Sequence, residues 1–451
     1  MDYILLLSAL AFLFGLFGIV HVVYDISRKK RMQLVHIFNL TYVFTYGFYL
    51  SIIIFLHKVN QIQFTRRISY DSSNLKSLWI WFGLAVLGYI VFNFAYRPQS
   101  VFNKLKAETT QTEEERGDKR LQLTAIICLA IGLVSLYLWS RAYGGIFKLI
   151  DQADAVRNNA SKVSNAIAFF KHPAKLVTIV SYVSLYLILK KHHRVLNILI
   201  FAVSIVASLL YLLANDGRMS MALYFAVLFL ISGRMFENIS IWKVIKLSLV
   251  VALGAAIVLN MDNITYWLRN STYGTRDVSH PFLNILNEYS FIIAAAQTSI
   301  NFIFKGHGSM MLLKDISCGV FAWLPNSIKP QNLVNIWTLN TNLKFANPTG
   351  QNPCDFVSTS IYDAGMFGTI ILGTFWARII KWIDQKHQNR NTPFFEVIYC
   401  YFALSVFRLV DYCLLYDVMM NMFCVFIAAI IWFGSGLIFK KAKDQNQTQE
   451  A

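Results

Sequence analysis

The chain is short of charge, of proline and of paired cysteine. Asp, Glu, Lys and Arg make up 14% of its 451 residues, against about a quarter in soluble domains. That shortage excludes an ordinary cytosolic enzyme and a disordered chain. Eight prolines and 22 glycines exclude a collagen-like or linker-rich protein. The six cysteines form no CxxC pair, and no Cys/His spacing suited to zinc occurs, so no metal is expected. Cys128, Cys400, Cys413 and Cys424 fall in apolar stretches, where they act as small hydrophobes. Cys318 and Cys354 share one long loop and can pair if that loop faces an oxidising space. No GxxxxGKS/T or GxGxxG sequence is present, so neither common nucleotide cradle is available, no cofactor is implied, and ATP-driven work is not expected.

What the chain has is apolar sequence, 56% of it, in nearly uncharged blocks of about 18 to 23 residues, the length that crosses roughly 30 Å of hydrocarbon. The pattern predicts an all-α, polytopic integral membrane protein forming one domain over residues 1–451. Spans are expected at Tyr3 to Val23, Leu34 to Leu56, Leu78 to Tyr96, Leu121 to Ser140, Leu176 to Leu189, Val195 to Ala214, Met219 to Ser232 and Val244 to Met261. Three more follow at Ser358 to Ile380, Phe394 to Leu409 and Val418 to Phe439. That is about eleven spans. The first block has no basic leader and no small-residue cleavage site, so it reads as a span and not as a signal peptide.

Orientation follows from Lys and Arg. With the N-terminus outside, just over half of the 41 basic residues fall in one set of short loops, including Arg28 to Arg31, Arg97 to Arg120, Lys190 to Arg194 and Arg378 to Arg390. That side is expected to be cytoplasmic, with the C-terminus on it. The net charge of +17 is then mostly orientation signal and requires no nucleic acid. Glu113, Glu114 and Glu115, beside Arg116 and Lys119, read as a solvated face.

Two outer segments are long: Arg141 to Pro173, and residues 262–357, the large extracytoplasmic loop. Loops of that length are functional or disordered, and Trp267, Trp323, Trp337 and many apolar residues make the second unlike a disordered one. Within it, Phe282 to Phe304 carries apolar residues at three/four spacing, with Asn284, Asn287, Glu288, Gln297 and Asn301 opposite. This predicts an amphipathic helix lying in the outer interface or capping the bundle. The alternative, a twelfth span, would invert every later loop.

The outer face carries more basic than acidic residues. Arg141, Arg157, Arg218, Arg269, Arg276 and Arg408 stand at span mouths or in apolar loops. Arginine suits bidentate capture of phosphate and stays charged at low dielectric, and ionisable groups near membrane depth are functional candidates. In Asn215-Asp216-Gly217-Arg218 two spans meet at a four-residue turn. The turn reads either as an anion site with Asp216 orienting Arg218, or as a hairpin tip with a local ion pair. Arg408 and Asp411 are three apart on one helix and can pair, so a structural pair fits there as well as a catalytic one. Arg157 lies in an amide-rich stretch. His280 or Glu288 could serve as a base, although each alone also fits a solvated loop. The outer aromatics fit a membrane-interface belt as well as sugar stacking.

Four stretches together resemble the Wzy-type oligosaccharide repeat-unit polymerases, relatives of the O-antigen ligases. They are Tyr143-Gly144-Gly145-Ile146 followed by Arg157; Asp216-Gly217-Arg218 at a span mouth; Phe321-Ala322-Trp323-Leu324-Pro325 with Lys329-Pro330; and Asn347-Pro348 through Tyr362-Asp363-Ala364-Gly365-Met366-Phe367-Gly368. The likeness covers Leu121 to Ile380 and extends loosely to Arg408. A paired-arginine motif of some members, with glycine eleven positions on, is absent: Ala168 and Asn287 stand there.

The resemblance implies a GT-C-like membrane glycosyltransferase of the bacterial cytoplasmic membrane that makes O-antigen, capsular or exopolysaccharide. Donor and acceptor would be undecaprenyl-pyrophosphate-linked glycans at the outer leaflet. It implies Arg157, Arg218, Arg276 and Arg408 stabilising the leaving pyrophosphate, with Asp216, Glu288 and His280 as orienting or basic groups. Arg141, Arg269, Trp323 and Asp363 are the expected substrate contacts. Membrane lipids, a flippase and a chain-length regulator are the partners it implies, and nucleic acid is not among them. The alternatives are an O-antigen-type ligase and a lipid-linked oligosaccharide flippase. A dolichol-sugar type of transferase would need an acidic pair in its first outer loop, and here the loop after the first span, Tyr24 to Gln33, is basic and cytoplasmic.

Overall fold

The computed structural model describes residues 3–29, 31–64, 72–97, 111–153, 156, 167, 169–215, 218–233, 281–304, 306, 310–321, 323–324, 330, 335–344, 352–389, 392–413 and 415–449. Among them every regular element is helical. Eight helices are long and apolar enough to cross a membrane: a multi-span membrane architecture. The expected span at Val244 to Met261 lies outside the described residues. Those at Met219 to Ser232 and Val418 to Phe439 correspond to shorter apolar stretches, Ser220–Ser232 and Asn421–Leu437.

The chain divides into two compact units, interleaved along the sequence. Unit 1 comprises Met1–Lys104, His280–Lys386 and Phe402–Met419. It opens with α1 (Tyr3–Lys29), α2 (Leu34–Val59) and α3 (Ser72–Tyr96). Unit 2 comprises Leu105–Ser279, His387–Tyr401 and Met420–Ala451. It contains α4 (Gln111–Arg141), α5 (Ile146–Asp151), α6 (Lys171–Leu189), α7 (Arg194–Ala214) and α8 (Arg218–Gly233). Unit 1 continues with α9 (Pro281–Tyr289), α10 (Phe291–Phe304), α11 (Lys314–Phe321), α12 (Ile336–Lys344), α13 (Phe356–Ala364) and α14 (Gly368–Asn389). The last helices, α15 (Pro393–Asp411) and α16 (Leu415–Gln449), each contribute residues to both units.

In unit 1, α1 and α2 cross with their backbones in contact. A Cβ on Gly47 would stand 2.6 Å from the Gly15 Cα, so only glycine fits this crossing; small residues at such crossings gain van der Waals packing that lipid cannot supply. The outward side of α1 is apolar and exposed, with Phe12, Leu13, Leu16, Phe17 and Val20 on it. Such a stripe suits lipid and would be a liability in water.

One end of unit 1 gathers the C-termini of α1, α3 and α14 and the N-terminus of α2. Asp384 accepts from the Leu34 amide (3.1 Å) and the Tyr96 hydroxyl (2.7 Å), and the Lys381 ammonium donates to the Arg97 carbonyl at 2.8 Å. Asp25 accepts from Lys29 and from His36 Nε2, each at 2.7 Å. The Gln33 amide donates to His36 Nδ1 at 2.8 Å, which fixes the donating proton on Nε2. These are segments whose basic residues the sequence assigns to a common side.

The expected amphipathic helix over Phe282 to Phe304 is corrected. It is two helices, α9 and α10, broken at Ser290, and α10 does not lie on a surface. Residues 291–300 are all buried, including Gln297, Thr298 and Ser299. The polar side reads as solvent-facing in sequence but is matched inside the unit. Thr298 Oγ1 returns to the Ala294 carbonyl at 2.7 Å, Ser299 Oγ to the Ala296 carbonyl at 3.2 Å, and Asn301 Nδ2 donates to Asn74 Oδ1 on α3 at 3.3 Å. Cys318 and Cys354, expected as a candidate pair, form no disulfide with each other and are both buried, like the other four cysteines.

Candidate functional site

The interior of unit 1 is built around carboxylates and amides. Asp355 is fully buried. It caps α13, accepting from the Val357 amide (2.9 Å), the Ser358 amide (3.0 Å) and the Ser358 hydroxyl (2.6 Å), and from the Tyr46 hydroxyl of α2 at 2.9 Å. An aspartate before an apolar run is a helix N-cap signature. Here the cap also pins α13 to α2, and Trp81 of α3 donates to the Ser358 hydroxyl at 3.0 Å.

Asp315, in the first turn of α11, joins three helix starts. Its oxygens accept from the Ile336 amide (3.3 Å) at α12 and the Leu415 amide (3.1 Å) at α16. Asn340 Nδ2 donates to the Asn352 and Pro353 carbonyls at 3.0 and 3.2 Å, and Tyr362 donates to Asn340 Oδ1 at 2.9 Å. Tyr362 also packs with Ala295, Phe302, Met311, Ile336 and Cys354 in an apolar cluster. The described part of the 262–357 segment therefore supplies core to unit 1.

Helix α13 stops at Gly365, whose φ of +65° suits glycine and strains other residues. Its last carbonyls are met from the segment before α11: the Met311 amide donates to the Tyr362 carbonyl (2.9 Å) and the Leu312 amide to the Asp363 carbonyl (3.0 Å). The Asp363 carboxylate accepts from the Leu313 amide at 3.3 Å. Leu312 and Leu313 both take positive φ there, a strained turn held by the end of α13.

A cavity of about 270 Å³ lies between α2, α9 and α15, lined by Leu40, Thr41, Phe44, Thr45, Tyr49, Tyr289, Phe407 and Asp411. Helix α2 widens to π geometry over Phe44–Tyr49, a feature that concentrates at functional sites because the extra residue re-aims side chains. It directs three of them at acids or their neighbours. Thr45 Oγ1 donates to Asp411 at 3.3 Å and Tyr46 serves Asp355. Tyr49 stacks on Tyr289, ring centres 4.2 Å apart. Asp411 is fully buried; Thr45 and Tyr289 are its hydroxyl neighbours, and among the described residues its Oδ2 lacks a partner at close hydrogen-bond geometry. A carboxyl kept in an apolar setting is costly without a partner, and within a span it is a candidate for a functional group. It can take a proton, or accept a hydrogen bond from a hydroxyl that enters the cavity.

Of the residues expected at a site, Arg408 is half-buried one turn before Asp411 on α15, and its positive charge acts on that carboxyl. Asp363 is buried at the strained turn just described. Trp323 is half-buried and donates its indole N–H to the Met419 carbonyl at 2.8 Å, which makes it a strut between α11 and α16. Arg141 is exposed at the end of α4 in unit 2. There Tyr143-Gly144-Gly145-Ile146 forms the turn into α5, closed by the Gly145 amide on the Ser140 carbonyl at 2.9 Å. Arg218 opens α8 and Glu288 lies in α9, with their side chains outside the described residues. Arg157, Asp216, Arg269, Arg276 and His280 lie outside them altogether.

Sequence reasoning did not single out Asp315, Asp355, Asn340, Tyr46 or Tyr289. Asp355 had a local signal, an aspartate before an apolar run. The others had none, because their partners are far along the chain. Among the described residues, no group of three or more His, Cys, Asp and Glu side chains could hold a metal ion. No protein-family model matches the chain, and no curated protein or solved structure matches it.

Proposed function

We propose that the protein is a membrane glycosyltransferase that joins undecaprenyl-pyrophosphate-linked oligosaccharide units into a surface polysaccharide. The observation that carries the proposal is the Asp411 cavity: a buried carboxyl only partly satisfied among the described residues, an arginine one turn away, and Thr41, Thr45, Tyr49 and Tyr289 in the lining. In this reading a sugar hydroxyl of one lipid-linked unit attacks the anomeric carbon of the other. The new glycosidic C–O bond forms as the bond to pyrophosphate breaks. Asp411 accepts the hydroxyl proton, as a positioned carboxylate can. Arg408 offsets the negative charge that develops on the leaving pyrophosphate, a role for which the family resemblance adds Arg157, Arg218 and Arg276 as candidates.

Purified protein given lipid-linked repeat units tests this. A ladder of glycan lengths supports polymerisation, one transferred unit to a different acceptor supports a ligase, and no new glycosidic bond refutes both. Arg218→Lys keeps the charge but loses the bidentate fork, and should abolish chain extension at normal protein level. Wild-type glycan lengths in that variant would remove Arg218 from the site.

A second reading, a lipid-linked oligosaccharide flippase, is favoured by one specific feature. Buried acids and a span interrupted at Gly365 are the kind of discontinuity that transporters use at their binding sites. Movement of a fluorescent lipid-linked oligosaccharide across proteoliposomes, without new bonds, would establish it in place of the enzyme.

A further inference from the structure

We infer that a cleft between α1 and α3, at the basic end of unit 1, holds the phosphate headgroup of an anionic phospholipid whose acyl chains run along Phe17, Ile90 and Phe94. The cleft has a volume of about 600 Å³ and shares no lining residue with the Asp411 cavity. Its two ends differ in chemistry. At one, Phe17, Ile90 and Phe94 are 64%, 59% and 65% exposed, an apolar lip suited to hydrocarbon. At the other stand Arg28, Lys29 and Arg97.

The acid within the cleft is already engaged. Asp25 accepts from Lys29 and His36, each at 2.7 Å. Among the described residues neither Arg28 nor Arg97 pairs with a carboxylate, and the Arg97 guanidinium lies over the Phe94 ring at 4.7 Å. The polar wall is rigid. His21 Nδ1 meets the Tyr89 hydroxyl at 2.7 Å, and Asn93 Nδ2 donates to the Tyr89 carbonyl at 2.9 Å. Two unpaired guanidinium groups above fixed polar neighbours suit a phosphate monoanion, and basic clefts between spans near the cytoplasmic surface take anionic lipid headgroups. The adjoining apolar lip is what a free phosphate would leave unused.

The test uses the purified full-length chain in neutral detergent. Bound lipid is counted by native mass spectrometry and unfolding temperature is read in parallel. Dioleoylphosphatidylglycerol should bind and raise the unfolding temperature, whereas dioleoylphosphatidylcholine and inorganic phosphate at equal concentration should not. Arg28→Gln with Arg97→Gln should weaken phosphatidylglycerol binding about tenfold or more. Arg194→Gln, an exposed arginine at the start of α7 that does not line this cleft, should leave binding unchanged. Arg97→Gln alone, which removes one exposed guanidinium, should weaken binding in the same direction and serves if the double variant does not fold. Wild-type binding in both the double and the single variant overturns the site. An equal response to inorganic phosphate overturns the lipid assignment.

Discussion

Units 1 and 2 bury polar groups by different means. In unit 2 several buried serines are satisfied within their own helices: Ser181 on the Thr178 carbonyl (2.7 Å), Ser184 on Val180 (2.8 Å) and Ser208 on Ser204 (2.6 Å). Its links between helices include aromatic and cationic contacts and tyrosine hydroxyls such as Tyr224 on Ser181. Tyr182 packs on Tyr224 with ring centres 5.5 Å apart, and the Arg120 guanidinium lies over Trp432 at 4.0 Å. In unit 1 the buried polar groups include acids whose partners come from distant segments: Asp355 with Tyr46, Asp315 with Leu415, Asp411 with Thr45. Local pairing holds a helix without specifying its neighbours. Distant pairing fixes which segments meet, and leaves a charge-bearing group where chemistry or transport can use it.

The contrast can be broken by substitution, starting where the effect is largest. Asp355→Ala removes a helix cap and strands the Tyr46 and Ser358 hydroxyls in the core. It should cost roughly 3–5 kcal/mol, enough to threaten folding, as read by denaturant titration in mild detergent. A loss below about 1 kcal/mol would mean that the distant pairing contributes little. In unit 2, Arg120→Gln forfeits the stacking on Trp432 and the hydrogen bonds from its Nε to the Trp432 carbonyl (2.8 Å) and Ser435 hydroxyl (3.2 Å). It should cost about 1–2 kcal/mol by the same titration. A loss rivalling that of Asp355→Ala would erase the distinction. Tyr224→Phe, which loses the hydroxyl's bonds to the Ser181 hydroxyl at 3.0 Å and to Ser208, should cost about 1 kcal/mol. A larger value would show that hydroxyl pairs between helices matter in unit 2 as well.

Much of the membrane architecture was legible in the sequence, because apolar length is a local property. The first six expected spans each fall within an observed helix, and the segments bearing Arg28, Arg97 and Lys381 meet at one end of unit 1, as their charges suggest. Helix α10 was misread for a physical reason. Its Gln297 and Asn301 look solvent-facing by periodicity, yet Gln297 is buried and Asn301 donates to Asn74 on α3, and a helical wheel records neither. The candidate site was legible only in Arg408, Asp411 and Asp363, acids and a base inside apolar stretches. Tyr46 looks like any aromatic in a span until α2 widens at Phe44–Tyr49 and aims it at Asp355, and Tyr289 finds its ring partner Tyr49 only through the fold.

The proposed activity rests on the buried Asp411 carboxyl. Asp411→Asn keeps the shape of the side chain and the hydrogen bond from Thr45 but removes the charge. Reconstituted with undecaprenyl-pyrophosphate-linked repeat units, this variant should remain folded, with an unfolding temperature near that of wild type. It should extend chains about 10² to 10⁴ times more slowly. A folded variant that yields the wild-type ladder at the wild-type rate would contradict the account.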